Sequence, residues 1–163
     1  MSRTLLIALA AAGSAALLLG ALAFQYLGGL APCHLCLLQR YPHMAAIAIG
    51  ALALLIPNLL PRLLPRLLPR LLPLCGAAAA FTSAAYGAYH TGVERHWWLG
   101  PTTCTSGPLG KISAKDLLAQ IQAAPLVQCD QVAWSMFGVS MASWNMLASL
   151  LLVTLWLAAI RKS

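Results

Sequence analysis

Followed for its apolar and polar positions, the chain reads as four long apolar runs separated by polar breaks. Residues 4–39 contain no Asp, Glu, Lys or Arg. Within them, 5–26 is long enough for a helix rising ~1.5 Å per residue to cross ~30 Å of hydrocarbon. A second run spans about 41–60, with its most apolar part at 44–56. The third, about 74–89, is rich in Gly and Ala, which lets membrane helices approach closely. The fourth, about 137–160, is closed by Arg161 and Lys162. The pattern predicts an all-α fold, a bundle of four transmembrane helices forming a single integral membrane domain. A cleaved signal peptide is the rival reading of the first run, because Arg3, an apolar stretch and Ala21-Leu22-Ala23 mimic one. The run exceeds a usual signal core and its loss would unbalance the later spans, so a retained span is expected.

The breaks differ in kind. Leu-Leu-Pro-Arg occurs three times between 59 and 70, followed by Leu71-Leu72-Pro73. Each interior proline removes a helix donor at a cost of about 3 kcal/mol, so 59–73 reads as a linker loop. The first outer loop, about 27–40, is tight. The second, about 90–131, is too long for a mere connector. In it Ser113 and Asp116 match a capping box before Leu117, Leu118 and Ile121, predicting a short interfacial helix near 114–122 that Pro125 ends. Tyr86, Tyr89, Trp97 and Trp98 form an interfacial belt, and His90 and His96 read as interfacial with them. Ser140, Ser143 and Asn145 are expected to hydrogen-bond to other helices.

Composition agrees: 61% hydrophobic and 8% charged residues cannot cover a soluble fold of 163 residues. A net charge of +7 would suggest nucleic acid in a soluble chain, but Arg3, Arg62, Arg66, Arg70, Arg161 and Lys162 flank the apolar runs. Four spans place these six on one face without any acid. The other face receives Arg40, Arg95, Lys111 and Lys115 with all three acids, Glu94, Asp116 and Asp130. The asymmetry puts both termini and the repeat in the cytoplasm and both cysteine-bearing loops outside, with no nucleic-acid partner.

Candidate chemistry lies in Pro32-Cys33-His34-Leu35-Cys36. On one helical turn an i, i+3 cysteine pair has Cα atoms roughly 5.5 Å apart, within disulfide range. Pro32 suits the first helical position, which places both sulfurs near a helix N-terminus that favours thiolate. Arg40, four residues after Cys36, shares its face and can lay a guanidinium over the sulfur. Pro42 is expected to push Tyr41 out of α geometry. Zinc needs four ligands, and although His34 lies between the pair no second Cys/His cluster has matching spacing, so no metal is expected. Haem attachment fails because position 37 is Leu. Cys104 and Cys129 flank the expected interfacial helix, and Pro101, Gly107, Pro108 and Gly110 keep the chain around Cys104 irregular and accessible. A bond between them, taken alone, would be a staple worth about 3.5 kcal/mol. Beside a second cysteine pair on the same membrane face it becomes half of a two-electron thiol–disulfide relay. Cys75, next to Gly76, reads as a packing residue.

Pro32-Cys33-x-Leu35-Cys36-x-x-Gln39-Arg40, the outer-loop pair Cys104 and Cys129, and four spans with both ends inside resemble the disulfide bond formation protein B (DsbB) family. Gly92-Val93-Glu94 with Trp97-Trp98 and the stretch from Trp134 to Leu147 resemble its proteobacterial members, so the likeness covers nearly the whole chain. The Leu-Leu-Pro-Arg repeat is no motif of that family. The resemblance implies an enzyme of the bacterial inner membrane, a thiol:quinone oxidoreductase that reoxidises a periplasmic DsbA-like dithiol oxidase. It further implies that the partner attacks Cys104 and that Cys129 is freed to pass electrons to a Cys33–Cys36 disulfide. Cys33 would take the exchange and Cys36 would face a quinone, ubiquinone or menaquinone. Arg40 would stabilise the Cys36 thiolate and charge developing on the quinone, and His43 is a candidate for proton transfer. Glu94 reads as a structural partner of Arg40 or Arg95. Two other classes fit the cysteines: a membrane thiol reductase of epoxide-reductase type, carrying electrons the opposite way, and a non-enzymatic four-helix scaffold with a stapled loop.

Overall fold

The computed structural model describes residues 1–59, 68–101 and 127–162. Four helices make up most of it: α1 (Arg3–Tyr26), α2 (His34–Leu59), α3 (Leu68–Glu94) and α4 (Met141–Ile160). Three of them, α1, α3 and α4, are long and apolar enough to cross a membrane. α2 is of similar length, but Gln39, Arg40 and His43 occupy its first turns and its apolar run starts only at Met44.

α1 packs on α2, α2 on α3, α3 on α4, and α4 returns to α1, so the helices close a ring. Contacts between opposite ends make consecutive helices antiparallel. Arg40, early in α2, reaches Gln25, late in α1. Gln39 meets His90 near the end of α3, and Ser140, at the start of α4, meets Glu94. One end of the bundle therefore gathers the start of α2, the end of α3 and the start of α4. The core of the opposite half is small-residue packing around one large ring. Ala10, Ala53, Ala77, Ala80 and Ala159 are buried about Trp156, which is fully enclosed. Gly76 permits this, because a Cβ there would stand 2.6 Å from the indole.

The prolines behave differently from expectation. The linker read at 59–73 is partly helix: α2 continues to Leu59 and α3 begins at Leu68, while 60–67 lie outside the described residues. Pro69 falls in the first turn, where a helix needs no N–H from it. Pro73 is inside the helix and buried. Its missing N–H would have bonded to the Pro69 carbonyl, and that oxygen instead accepts from Arg3 Nη2 at 2.8 Å. The freed acceptor is thus satisfied from α1, which removes part of the proline's cost. α2 also runs unbroken through Pro42, so Tyr41 stays helical.

Other boundaries shift as well. The first outer loop shortens to 27–33 because α2 starts at His34. α3 extends past 89 to Glu94 and ends in a Schellman motif. There His96 N–H bonds to Val93 O at 3.0 Å and Trp97 N–H to Gly92 O at 2.9 Å, with His96 left-handed at φ 56°. Trp98 folds back onto Gly92, whose missing side chain makes the room, and donates its indole N–H to Tyr89 O at 3.0 Å. The fourth apolar run does not begin as helix. Ser135–Met136 pairs antiparallel with Val139–Ser140 across Phe137 and Gly138, both at positive φ. α4 then starts at Met141 with Ser140 as its N-cap, accepting from Ser143 N–H. Cys75 is exposed on the outside of the bundle rather than packed within it. The interfacial helix expected near 114–122 and Cys104 lie outside the described residues.

Candidate active site

Local sequence builds the centre of the site. Cys33 is the N-cap of α2: its carbonyl accepts from Leu37 N–H at 3.2 Å, and its Sγ accepts from Cys36 N–H at 3.2 Å. Pro32 therefore precedes the cap instead of opening the helix. Cys33 and Cys36 are free thiols, the first buried and the second half-buried, and both precede the apolar part of α2. Their thiols interact with each other. The hydrogen bond to Cys36, then burial, pushes the Cys33 thiol well up. The same hydrogen bond, helped by the Cys33 backbone and the Arg40 charge, holds the Cys36 thiol below its ordinary value against burial and Glu94. Of the two sulfurs, Cys36 is the one whose surroundings favour thiolate.

Arg40 does not simply lie over Cys36 as the spacing suggested. Its Nη1 donates to Gln25 Oε1 at 2.6 Å and its Nη2 approaches Ala21 O at 3.4 Å, so α1 fixes the fork while the charge still bears on Cys36. Glu94 does not pair with Arg40 or Arg95. It turns inward, accepts from the Ser140 hydroxyl and stands 3.9 Å from His90 Nε2.

His90 is buried, not interfacial. Its Nε2 lies 3.6 Å from Cys33 Sγ, and its Nδ1 faces the Gln39 amide nitrogen at 3.0 Å. Gln39 Oε1 accepts from Asn145 Nδ2 at 2.8 Å. Asn145 Oδ1 faces His43 Nε2 at 2.9 Å, and Ser83 Oγ lies at 2.9 Å from the same nitrogen. A polar chain thus ties α2, α3 and α4 together beneath the cysteines. The expectation for α4 holds: Asn145 enters this chain, Ser143 bonds to Thr91 at 2.9 Å, and Ser140 bonds to Glu94. His43 was found by its place after Arg40. His90 and Gln39 were missed as site members, although an ionisable side chain within a membrane-length helix is itself a signal of function.

From the second outer loop, Cys129 is fully buried beside Leu35, Val93 and Cys33, and it is disulfide-bonded. Its Sγ, the Cys33 Sγ and a ring nitrogen of His90 lie within 4.8 Å of one another. Two sulfurs and an imidazole are metal-ligand types, but a sulfur held in a disulfide is not the thiolate a metal requires. The arrangement as it stands is one for sulfur exchange. No local spacing announces it, since the three positions are far apart in the chain.

Beside the cysteines is a cavity of about 310 Å³. Leu17, Ala21 and Phe24 of α1 form its apolar wall, and Cys36, Arg40 and His43 of α2 the polar one. Trp134 closes it, its ring 4.9 Å from that of Phe24. The Nδ1 of His43 is itself buried without a hydrogen-bond partner. Cys33, Cys36, Arg40 and His43 are thus brought to one cavity, Cys129 lies behind it against Cys33, and Cys104 lies outside the described residues.

Comparison with known proteins gives a consistent result. Residues 2–159 match the family model described as disulfide bond formation protein DsbB. A disulfide bond formation protein B of Albidiferax ferrireducens is 27% identical, over 87% of this chain and 80% of its own length. A protein of the same name from Polaromonas naphthalenivorans is 25% identical, over 86% and 80%. An uncharacterized protein of Rickettsia prowazekii is 27% identical, over 79% and 71%. No solved structure matches the chain. With membrane-length helices, two cysteines at the cap of one helix and a third buried against them, and a family match from end to end, the chain belongs to the DsbB family of membrane disulfide bond formation proteins.

Proposed function

We propose that this protein is a thiol:quinone oxidoreductase that generates disulfides by oxidising a DsbA-like periplasmic dithiol protein. The observation that carries the reading is the placement of the Cys129 sulfur within 4.8 Å of Cys33 while Cys36 and Arg40 open onto a cavity with an apolar wall. Four spans, α2 included, would set both termini on the cytoplasmic side of the bacterial inner membrane and the cysteines at its periplasmic boundary.

In the proposed sequence the partner's thiolate attacks Cys104, releasing Cys129 as a thiolate. Cys129 then attacks Cys33 of a Cys33–Cys36 disulfide and Cys36 leaves with the electron pair. The partner's second thiolate then displaces Cys104, the partner leaves as a disulfide, and the Cys104 thiolate attacks Cys129 and releases Cys33. Each exchange breaks one S–S bond and forms another, so two electrons move per cycle. The state described, with Cys33 and Cys36 reduced and Cys129 oxidised, follows arrival of those electrons at the inner pair.

The cavity suits a quinone on the chemistry of its lining. Leu17, Ala21 and Phe24 fit an isoprenoid-bearing ring, Arg40 supplies a fixed cation, and the unpartnered His43 Nδ1 supplies a buried acceptor. A quinone in this position would take up two electrons and two protons. Arg40, held by Gln25 and the Ala21 carbonyl, stabilises negative charge next to Cys36 without having to reorganise. His43 Nε2–H is directed to Asn145 and Ser83, which leaves the Nδ1 lone pair as an unpartnered acceptor on a residue that lines the cavity.

A Cys33→Ser variant tests this. It leaves Cys36 as a lone thiolate beside the acceptor, so adding ubiquinone or menaquinone should produce a visible charge-transfer absorption. The absorption should fade on acidification with a midpoint below the ordinary thiol value of about 8.5, because the hydroxyl that replaces the Cys33 thiol can still donate to Cys36, and the helix terminus and Arg40 favour thiolate. No absorption at saturating concentrations of either quinone removes Cys36 from the acceptor site.

A further inference from the structure

Resting on the sulfur relay proposed above, we infer that His90 is a catalytic hydrogen-bond donor for exchange between Cys129 and Cys33, with Gln39 as its positioning residue. His90 is 57 residues from Cys33 in sequence, yet its Nε2 is 3.6 Å from the Cys33 sulfur.

The hydrogen-bond network fixes which nitrogen carries the hydrogen. The Gln39 side-chain nitrogen lies 3.0 Å from the Leu35 carbonyl, which can only accept, so this atom is the amide NH2. Its second hydrogen points to His90 Nδ1 at 3.0 Å. The other end of the amide, Oε1, accepts from Asn145, which secures the same orientation. A neutral imidazole that accepts at Nδ1 carries its hydrogen on Nε2. Cys33 Sγ therefore lies beside two N–H groups, the Cys36 backbone at 3.2 Å and His90 Nε2 at 3.6 Å, whose hydrogen the sulfur shares with the Cys129 backbone carbonyl and, at 3.9 Å, Glu94 Oε1.

Two donors at one sulfur matter when that sulfur leaves. In the step that closes the outer disulfide, the thiolate paired with Cys129 attacks the Cys129 sulfur of a Cys33–Cys129 bond. One S–S bond forms at Cys129, the Cys33–Cys129 bond breaks, and the electron pair departs on Cys33. No proton moves; the new thiolate is held by the two N–H groups. In the reverse step the same donors hold Cys33 as the attacking thiolate. The structure has the composition of the product side, with Cys129 in a disulfide and Cys33 free at the same locus. Gln39 acts through His90: without its amide the ring is free to carry hydrogen on Nδ1 and present a bare lone pair to the sulfur.

The test uses the full chain in detergent with Cys36→Ser, so that Cys33 is the single thiol of the inner pair. Alkylation of Cys33 by iodoacetamide is followed by peptide mass. His90→Leu keeps bulk without a donor, and His90→Gln places an amide N–H near the former Nε2. The Leu variant should slow alkylation about tenfold and the Gln variant should stay within about threefold of the parent, the scale of a hydrogen bond to a charged group. Should His90→Leu fail to fold, His90→Asn replaces it, because its shorter amide reaches Gln39 but not Cys33 and should be equally slow. With Cys36 restored, exchange driven by a reduced DsbA-like protein should follow the same order. Equal rates in the Leu (or Asn) variant and the parent, or equal slowing in the Leu (or Asn) and Gln variants, would overturn the inference. Alkylation needs neither quinone nor partner, so a protein that reduces no quinone would remove the proposed function and still report on His90.

Discussion

Arg40→Ala lowers quinone reduction by about a hundredfold in our account, the scale of losing one preorganised donor at a site of developing charge. The substitution removes the cation next to Cys36 and releases Gln25 and the Ala21 carbonyl, which hold the guanidinium in place. Arg40→Lys should fall between parent and Ala, because an ammonium keeps the charge but cannot reproduce the planar fork that spans both acceptors on α1. Exchange of the partner's dithiol with the Cys104–Cys129 bond should stay within about threefold in both variants, since no thiolate beside Arg40 forms or leaves in that step. Steady-state quinone reduction and quenched thiol mapping on the same preparations separate the two. Unchanged quinone kinetics in Arg40→Ala would take this residue out of the acceptor site.

Cys129→Ala should abolish turnover and replace it with a trapped complex. Without Cys129 the bond between a DsbA-like partner and Cys104 has no competing sulfur in this loop, so a one-to-one mixed disulfide should accumulate and be released by reductant. Mapping it to Cys104 supports the assigned entry point. Mapping it to Cys33, with Cys104 unreacted, reverses the electron path.

How far the sequence reached is clearest at particular residues. Helix-forming runs were legible because apolar stretches of membrane length have few alternatives. The cysteine turn was legible because an i, i+3 pair, a cap and an i+4 arginine are local relations. Prolines misled for a physical reason: the cost assigned to Pro73 assumed an orphaned carbonyl, and Arg3, 66 residues from Pro69, satisfies it. The hairpin at 135–140 was hidden because Met136, Phe137 and Val139 extend the apolar run, and only the two positive φ angles mark the turn. In the site, His90, Gln39, Ser83 and Asn145 come from three helices, and their hydrogen bonds exist only once the ring of helices has closed. His90 resembled an interfacial residue because Tyr89, Trp97 and Trp98 follow the same helix end. It is buried because α4 and the Cys129 segment pack over that face. The Gly92, Trp98 and Glu94 group, legible only as a resemblance, has a structural cause: a glycine seat for an indole and an inward carboxylate bonded to Ser140.

The central claim, that electrons run from a periplasmic dithiol through the four cysteines to quinone, is tested most directly by stoichiometry. Purified full-length protein in detergent is mixed under anaerobic conditions with a reduced DsbA-like protein and ubiquinone or menaquinone, and quinol and partner disulfide are counted together. The account predicts one quinol for each disulfide formed, with loss of both products in Cys36→Ala. Partner oxidation without quinol, or quinol-driven reduction of the partner as the favoured direction, would contradict it.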